Sequence, residues 1–306
     1  MTLALIGLGK MGRALATKLA QGSRQQRGVR VLGYDADPAA RGEAALGGVE
    51  TVEELGDALS PLEAPRTVWL MVPAPRVEEV IAACLPHLSP GDLLVDGGNS
   101  YFRDSQRRAP NLTARGVQFV DIGVSGGPGG GAVGFSLMVG GDAAAVSRIE
   151  PLLGILASPE GAFGHVGPSG AGHFVKMVHN GIEYGMMEAL AEGVDVLRHG
   201  PYQDLDLAEV ARVWKSGSVI RSYLVDLLVE ILRTEDLEAV VGRAEATGEG
   251  EWTVKTAEEI GLDVPAIAAA VARRDESQRR ELFVAKILSL LRNRFGGHQV
   301  QRKSSP

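Results

Sequence analysis

Five polar residues in the stretch "GAGHFVKMVHNGIEYG", which begins at Gly170, include four of types that move protons. On a helix, Lys176, His179, Asn180, Glu183 and Tyr184 fall at i, i+3, i+4, i+7 and i+8, so an amine, an imidazole, an amide, a carboxylate and a phenol share one face. A lysine that loses its proton, through burial or beside a positive charge such as an oxidised nicotinamide, becomes a general base. A carboxyl group two turns further on is too distant for a tight ion pair with it and can serve another atom of the same substrate. The pattern has a second reading. Phe174, Val178 and Ile182 lie opposite, so the segment is amphipathic and its polar row could be a solvated outer face. Solvated faces are mostly Lys, Glu, Arg and Gln, however, and seldom gather His, Asn and Tyr in one row.

A second group of residues suits a dinucleotide. The apolar run "TLALIG" leads directly into "GLGKMG", which sets Gly7, Leu8, Gly9, Lys10, Met11 and Gly12 at the head of the helical segment "KMGRALATKLAQ". In the G-x-G-x-x-G spacing the first glycine permits the tight turn, the second lets backbone approach a pyrophosphate, and the third lets helix and strand pack closely. The helix start adds donors and partial positive charge. The next apolar run ends in "GYDADP", where Asp35 is placed to accept from both adenosine ribose hydroxyls; it could also be a turn residue or cap before Pro38, and the two roles can coexist. A carboxylate there repels a 2′-phosphate, so the expected cofactor is NAD and not NADP. Three more apolar runs end in "MVPAP" (Met71, Val72), "DGGNS" (from Asp96) and "DIGVSGGPGGG" (from Asp121). Ser125, Gly126 and Gly127 offer a hydroxyl and exposed backbone N–H groups to a carboxylate. Each loop alone could be a connector that merely needs glycine, but all of them follow strands, where ligands of open α/β sheets bind.

These residues need a scaffold, and the first half of the chain supplies the pattern of one. "TLALIG", "VRVLGYD", "TVWLMVP", "DLLVDGG", "VQFVDIG" and "FSLMVGG" alternate with helical segments, as in a parallel sheet buried on both faces by helices. After Gly167 the breaker-rich "VGPSGAG" gives way to sequence that reads almost wholly as helix, which sets a domain boundary between residues 1–168 and 169–306. The polar tail "QRKSSP" is expected to fray. A hydrophobic fraction of 45% and a formal net charge of −7 argue against disorder and against a nucleic-acid or anionic-membrane surface, yet leave room for an anionic substrate held by a few arginines. Cys84, the single cysteine, closes the helix "VEEVIAAC" and reads as a buried apolar residue in a reducing compartment. The apolar start lacks a basic flank and reads as a strand, so a cytoplasmic protein is expected.

The stretch from Gly170, with "GVSGG", "DGGNS" and "GLGKMG", resembles the decarboxylating 6-phosphogluconate dehydrogenase family in its shorter, NAD-linked form, from the first strand to the last helix. The resemblance implies an α/β Rossmann-type N-terminal domain followed by an all-α C-terminal domain that begins with a long helix. It implies oxidation of 6-phospho-D-gluconate at C3, loss of C1 as carbon dioxide and release of ribulose 5-phosphate, with no metal. By the same resemblance Lys176 is the base that takes the C3 hydroxyl proton and later returns it, and Glu183 assists protonation of the enediol at carbon. Ser125, Gly126 and Gly127 correspond to the loop that holds the substrate carboxylate; Asn99, His179 and Asn180 orient hydroxyls and nicotinamide.

The phosphate end departs from the longer family members. Tyr184 matches a phosphate-contacting tyrosine, and "VWKSGSVIRS" resembles the family segment whose arginine contacts the phosphate, which makes Arg221 the candidate, although it also reads as a helix-surface charge. "LRNRFGGH" resembles a segment that enters the neighbouring subunit's site, giving Arg292 and His298 and requiring a homodimer or homotetramer. Longer members carry a lysine and a threonine where "ATGEGEWT" has Thr247 and Glu249, so one basic contact is lost. A non-decarboxylating 3-hydroxyacid dehydrogenase, of 3-hydroxyisobutyrate or tartronate semialdehyde type, would share the Lys and Asn; His179, Glu183, Tyr184, Arg292 and His298 favour the decarboxylating family. A catalytically silent dinucleotide sensor would not need the Lys and Glu pair.

Overall fold

Side chains alternate between the two faces of a strand, so a sheet covered on both sides needs apolar residues at every position. A computed structural model, which describes residues 1–25, 29–159, 161–202, 204–246 and 248–303, shows this in one eight-stranded sheet. Its strands are β1 (Thr2–Ile6), β2 (Arg30–Tyr34), β3 (Glu50–Thr51), β4 (Thr67–Leu70), β5 (Leu93–Asp96), β6 (Gln118–Ser125), β7 (Ser136–Gly141) and β8 (Phe163–Gly167), in the order β3-β2-β1-β4-β5-β6-β7-β8. Between them run α1 (Lys10–Gln25), α2 (Pro38–Leu46), α3 (Leu55–Leu59), α4 (Val77–Cys84), α5 (Phe102–Thr113), α6 (Gly130–Val133) and α7 (Ala143–Leu156). Leu3, Leu5, Trp69, Val95, Val120 and Ile122 pack with Leu15 and Leu19 of α1 and Ile149 and Leu152 of α7. Ala4, Ile6, Val68, Leu70, Leu94 and Phe119 pack on the other face with Leu59, Ile81 and Leu112 of α3, α4 and α5.

The sheet differs from the expected all-parallel arrangement at one place. β6 and β7 pair antiparallel, while every other neighbouring pair is parallel. A parallel return needs a crossover of a dozen or more residues, and the glycine-rich link between these strands holds only the single turn α6. β8 returns parallel to β7 after the full helix α7. Two strands have no counterpart in the apolar runs: β3 is two residues long, and β8, "FGHVG", is a mostly exposed edge with two glycines.

The chain divides into two compact units, Met1–Met177 and Val178–Pro306, and α8 (Ala171–His199) is a continuous helix through that division. The second unit continues with α9 (Leu207–Lys215), α10 (Tyr223–Thr234), α11 (Glu249–Glu259), α12 (Pro265–Arg279) and α13 (Phe283–Gly296). Its core joins Met187, Ala191 and Val194 of α8 to Leu228 and Ile231 of α10 and Leu288 and Leu291 of α13. The tail expected to fray is held up to Lys303: Val241 N–H donates to the Gln301 carbonyl at 2.9 Å and Lys303 N–H to the Ala239 carbonyl at 2.8 Å. Those strand-like bonds to the segment after α10 offset its polar composition; residues 304–306 lie outside the described residues. No helix among the described residues is long and apolar enough to cross a membrane.

Cys84 is fully buried at the end of α4, and burial pushes its thiol up to about 12. A thiolate is the reactive form. The native protein should therefore resist a thiol-alkylating reagent at pH 8, and the same protein in denaturant should be labelled at the rate of a free cysteine, as mass spectrometry would show.

Candidate active site

The order of the strands reverses between β1 and β4, which opens a crevice at their carboxyl ends. A cavity of about 490 Å³ lies there, lined by Gly7, Gly9, Asp35, Met71, Val72 and Arg76 among others. The three glycines do different things. Gly7 has φ +98°, and a Cβ on it would stand 2.5 Å from the Met71 carbonyl oxygen. A Cβ on Gly12 would collide with the Gly7 carbonyl, whereas one on Gly9 meets no protein atom within 4 Å and projects from a residue that lines the cavity. Lys10 opens α1 and is exposed, Met11 is half-buried, and no acidic side chain stands in the first turn to offset the helix's positive end. Leu8 has its side chain fully buried, so its part in the loop is structural.

Asp35 ties this loop to the next strand. Its Oδ2 accepts from Leu8 N–H at 2.6 Å and its Oδ1 from Asp37 N–H at 2.9 Å. The cap of α2 is Asp37, which accepts from Ala39 N–H, so Asp35 is not the helix cap that its place before Pro38 allowed. Arg76, in the same lining and clamped by Glu79, had no motif to announce it. A wider open groove of about 730 Å³ on the same unit, lined by Asp142, His165 and Ser169, contains none of the residues that the motifs single out.

The loops after β5 and β6 are also held from below. Asp96 is fully buried and accepts from Gly98 N–H at 3.1 Å, Ser100 Oγ at 2.8 Å and Arg108 Nη1 at 3.1 Å, which fixes the turn that presents exposed Asn99. After β6, Gly126 and Gly127 take φ values of +124° and +59° beside half-buried Ser125. Lys176 sits directly on this strand, because a Cβ on Gly123 would overlap the Lys176 Cβ. The base candidate and the Ser125 loop therefore meet at the carboxyl end of β6.

In the second unit, His179 Nδ1 lies 3.2 Å from Asn180 Oδ1 and 3.8 Å from Glu183 Oε2. Nδ1 thus faces two oxygens, and the bond to Asn180 Oδ1 forms in the tautomer that carries its proton on Nδ1. The polar row is not the solvated face: Tyr184 is 4% exposed, whereas Ile182 on the opposite side is 52% exposed. Tyr184 is pressed by Gly250 of α11 and covered by the Arg274 guanidinium, 3.2 Å from its ring centroid. Arg274 is buried, and none of its three guanidinium nitrogens has a hydrogen-bond partner among the described residues. Burial pushes it down to about 10; the Arg292 charge acts in the same direction, and Tyr184, Glu183 and Glu188 oppose it. Arg274 went unseen in the sequence because "AVARRDESQ" reads as an ordinary charged helix.

The tail residues come together: the left-handed turn at Gly297 (φ +65°) brings His298 Nδ1 within 3.5 Å of Arg292 Nη2. Arg292 is buried, and Arg221 is exposed in the loop just before Ser222, the cap of α10, so Arg221 is not a helix-surface charge. Glu249 is the buried first residue of α11, where the helix dipole favours a carboxylate; Thr247 lies outside the described residues.

Two family models match the chain, the NAD binding domain of 6-phosphogluconate dehydrogenase over residues 2–167 and the 6-phosphogluconate dehydrogenase C-terminal domain over residues 172–304. A Haloferax volcanii protein named as NAD(+)-dependent, decarboxylating 6-phosphogluconate dehydrogenase is 40% identical over 306 residues, 99% of either chain. A Bacillus subtilis protein named as the NADP(+)-dependent, decarboxylating enzyme is 35% identical over 90% of this chain and 61% of its own length. The solved 6-phosphogluconate dehydrogenase of Plasmodium falciparum, described apo and in complex with NADP+ and with 6-phosphogluconate, aligns with a TM-score of 0.83 at 30% identity. That alignment covers 90% of this chain and 62% of the Plasmodium chain.

The glycine geometry separates binding from folding. Gly9→Ala should keep the melting temperature of the parent and weaken dinucleotide binding at least about tenfold, since its methyl enters only the ligand's space. Gly12→Ala should lose at least ~2 kcal/mol of stability from overpacking. Thermal melts and fluorescence titrations with NADH would distinguish the two; equal dinucleotide affinity in Gly9→Ala would remove the cavity from consideration.

Proposed function

The chain belongs to the 6-phosphogluconate dehydrogenase family, and from that premise we propose that it catalyses NAD-dependent oxidative decarboxylation of 6-phospho-D-gluconate to D-ribulose 5-phosphate and carbon dioxide. The observation that carries this reading is the seat of Lys176 on Gly123, two residues before Ser125, at the carboxyl end of β6, on the same side of the sheet as the cavity at the carboxyl ends of β1 and β4. NAD, when bound in the cavity lined by Gly7, Gly9 and Asp35, would supply the acceptor for the hydride from C3. In this reading Lys176, as the free amine, takes the C3 hydroxyl proton at the same time. The product is a β-keto acid, whose ketone accepts the electron pair when the C1–C2 bond breaks, so no metal is required. Lys176 returns its proton to that oxygen as the carbon dioxide leaves; in the tautomerisation that follows, Glu183 delivers a proton to the carbon that lost the carboxylate while the free Lys176 amine takes back the enol O–H proton, which leaves the ketone of the product. The two titrating groups thus act on different atoms.

The remaining assignments follow the substrate's polarity. Ser125, Gly126 and Gly127 receive the carboxylate, Asn99, His179 and Asn180 orient hydroxyls and nicotinamide, and Tyr184, Arg221, Arg292 and His298 take the phosphate. Arg292 and His298 serve a neighbouring copy's substrate, in a homodimer or homotetramer. Gly7, Gly9, Lys10, Met11, Met71 and Val72 hold the dinucleotide. Asp35 supports the NAD preference, because a carboxylate in the cavity wall repels a 2′-phosphate. The C-terminal family model, with His179 and Glu183 in place, favours this reaction over a non-decarboxylating 3-hydroxyacid oxidation.

Purified protein with 6-phosphogluconate and NAD should form NADH and carbon dioxide in equal amounts, and reduction without carbon dioxide would overturn the reading. Lys176→Met should abolish turnover and keep NADH binding; substantial residual activity would remove Lys176 as the base. Asp35→Asn should raise the ratio of kcat/KM with NADP to that with NAD by at least about tenfold, the worth of one lost charge contact. An unchanged ratio would place cofactor choice elsewhere.

A further inference from the structure

The first amides of a helix lack partners within it, and a side chain at the cap residue usually supplies one. For α8 the cap residue is Gly170, whose carbonyl accepts from Phe174 N–H at 2.9 Å and which has no side chain to offer. It has φ +96°, and a Cβ there would stand 2.7 Å from Gln106 Cγ, so no ordinary capping residue fits. The missing acceptor comes from the sheet. Asp121 of β6, fully buried, accepts from Gly170 N–H through Oδ1 at 2.6 Å and from His173 N–H through Oδ2 at 2.8 Å. His173 is the third helical residue, the amide that a local cap would bond. Its buried imidazole adds a tie to α5, with Nδ1 2.7 Å from Ser105 Oγ.

The same strand also carries the seat of Lys176. Asp121, Gly123 and Ser125 alternate along β6, so all three project on one face. The first holds the start of α8, the second receives Lys176, and the third opens the loop beyond. We propose that Asp121 is a positioning residue for Lys176: by capping α8 from β6 it sets the rotation and axial place of the helix, and with them the reach of the amine. This rests on the reading of Lys176 as the base. Displacement of a reacting group by an ångström can cost about 10²-fold in rate, which a charge-assisted cap of two amides on a buried carboxylate can prevent.

Two variants test it. Asp121→Asn keeps the shape and one acceptor oxygen, and Asp121→Ala removes both acceptors. Expected are faster hydrogen exchange of the amides in residues 170–176, an unchanged KM for NAD, and a kcat per NADH-binding site that falls in the order parent, Asn, Ala, by up to about 10²-fold. The deuterium isotope effect on kcat with substrate labelled at C3 should rise, because a misplaced base slows the chemical step. A merely structural role would lower the melting temperature and the number of binding sites but leave kcat per site and the isotope effect unchanged, and that result would overturn the proposal; the near-isosteric Asn variant provides the test if the Ala variant does not fold. Lys176→Met, assayed in parallel, separates the two ideas. If it turns over, the reading of Lys176 fails; if it is inactive while the Asp121 variants keep the parent kcat, only the positioning role fails.

Discussion

Helix α8 can lie on the sheet only because hydrogen atoms stand where side chains would be. A Cβ on Gly172 would come within 2.5 Å of the Asp121 and Met138 carbonyl oxygens, and one on Gly140 within 2.6 Å of Gly172 N. With Gly123 under Lys176, three glycines on β6, β7 and α8 set the approach of helix to strands. Packed interiors do not absorb an extra methyl without moving something. What would move is the start of the helix that carries Lys176, so the place of that side chain depends on an absence of side chains at three glycines. Asp121 acts at the same contact, where its burial is made tolerable by the two amides it accepts.

The cavity at the carboxyl ends of β1 and β4 is built by the same rule and a different use of charge. Gly7 and Gly12 let the first turn, β4 and α1 close on each other, and Gly9 leaves space open. Asp35 serves structure with one lone pair on each oxygen, holding Leu8 and Asp37, and a carboxylate has further acceptor capacity for a ligand. One residue therefore shapes the glycine turn after β1 and presents negative charge to the cavity it lines.

In a protein with a net charge of −7, a cation keeps its field only where solvent and surface acids do not cancel it. The second unit does this by burial. Arg274 is stacked on Tyr184, and Arg292 is buried near enough for its charge to weigh on Arg274, with His298 folded back against it. Charges without partners are costly in an interior, and Arg274 is held at that cost directly behind the phenol of the polar row.

The strands of buried apolar runs, the glycine spacing, Asp35 and the single-face row on α8 were legible because each depends on neighbours within a few residues, through a period of two, a period of 3.6 or a turn that only glycine tolerates. The turn of β7, the faint strand β8, the ordered tail, the inward side of α8, the cap from Asp121 and the stacked Arg274 were not. Each depends on groups far apart in the chain: Asp121 and Gly170 are 49 positions distant, and Tyr184 meets Arg274 from another helix. By itself the sequence determined which groups could do chemistry and in what local frame; the tertiary structure decided which of them are held still, because the partners that hold them are adjacent only once the chain has packed.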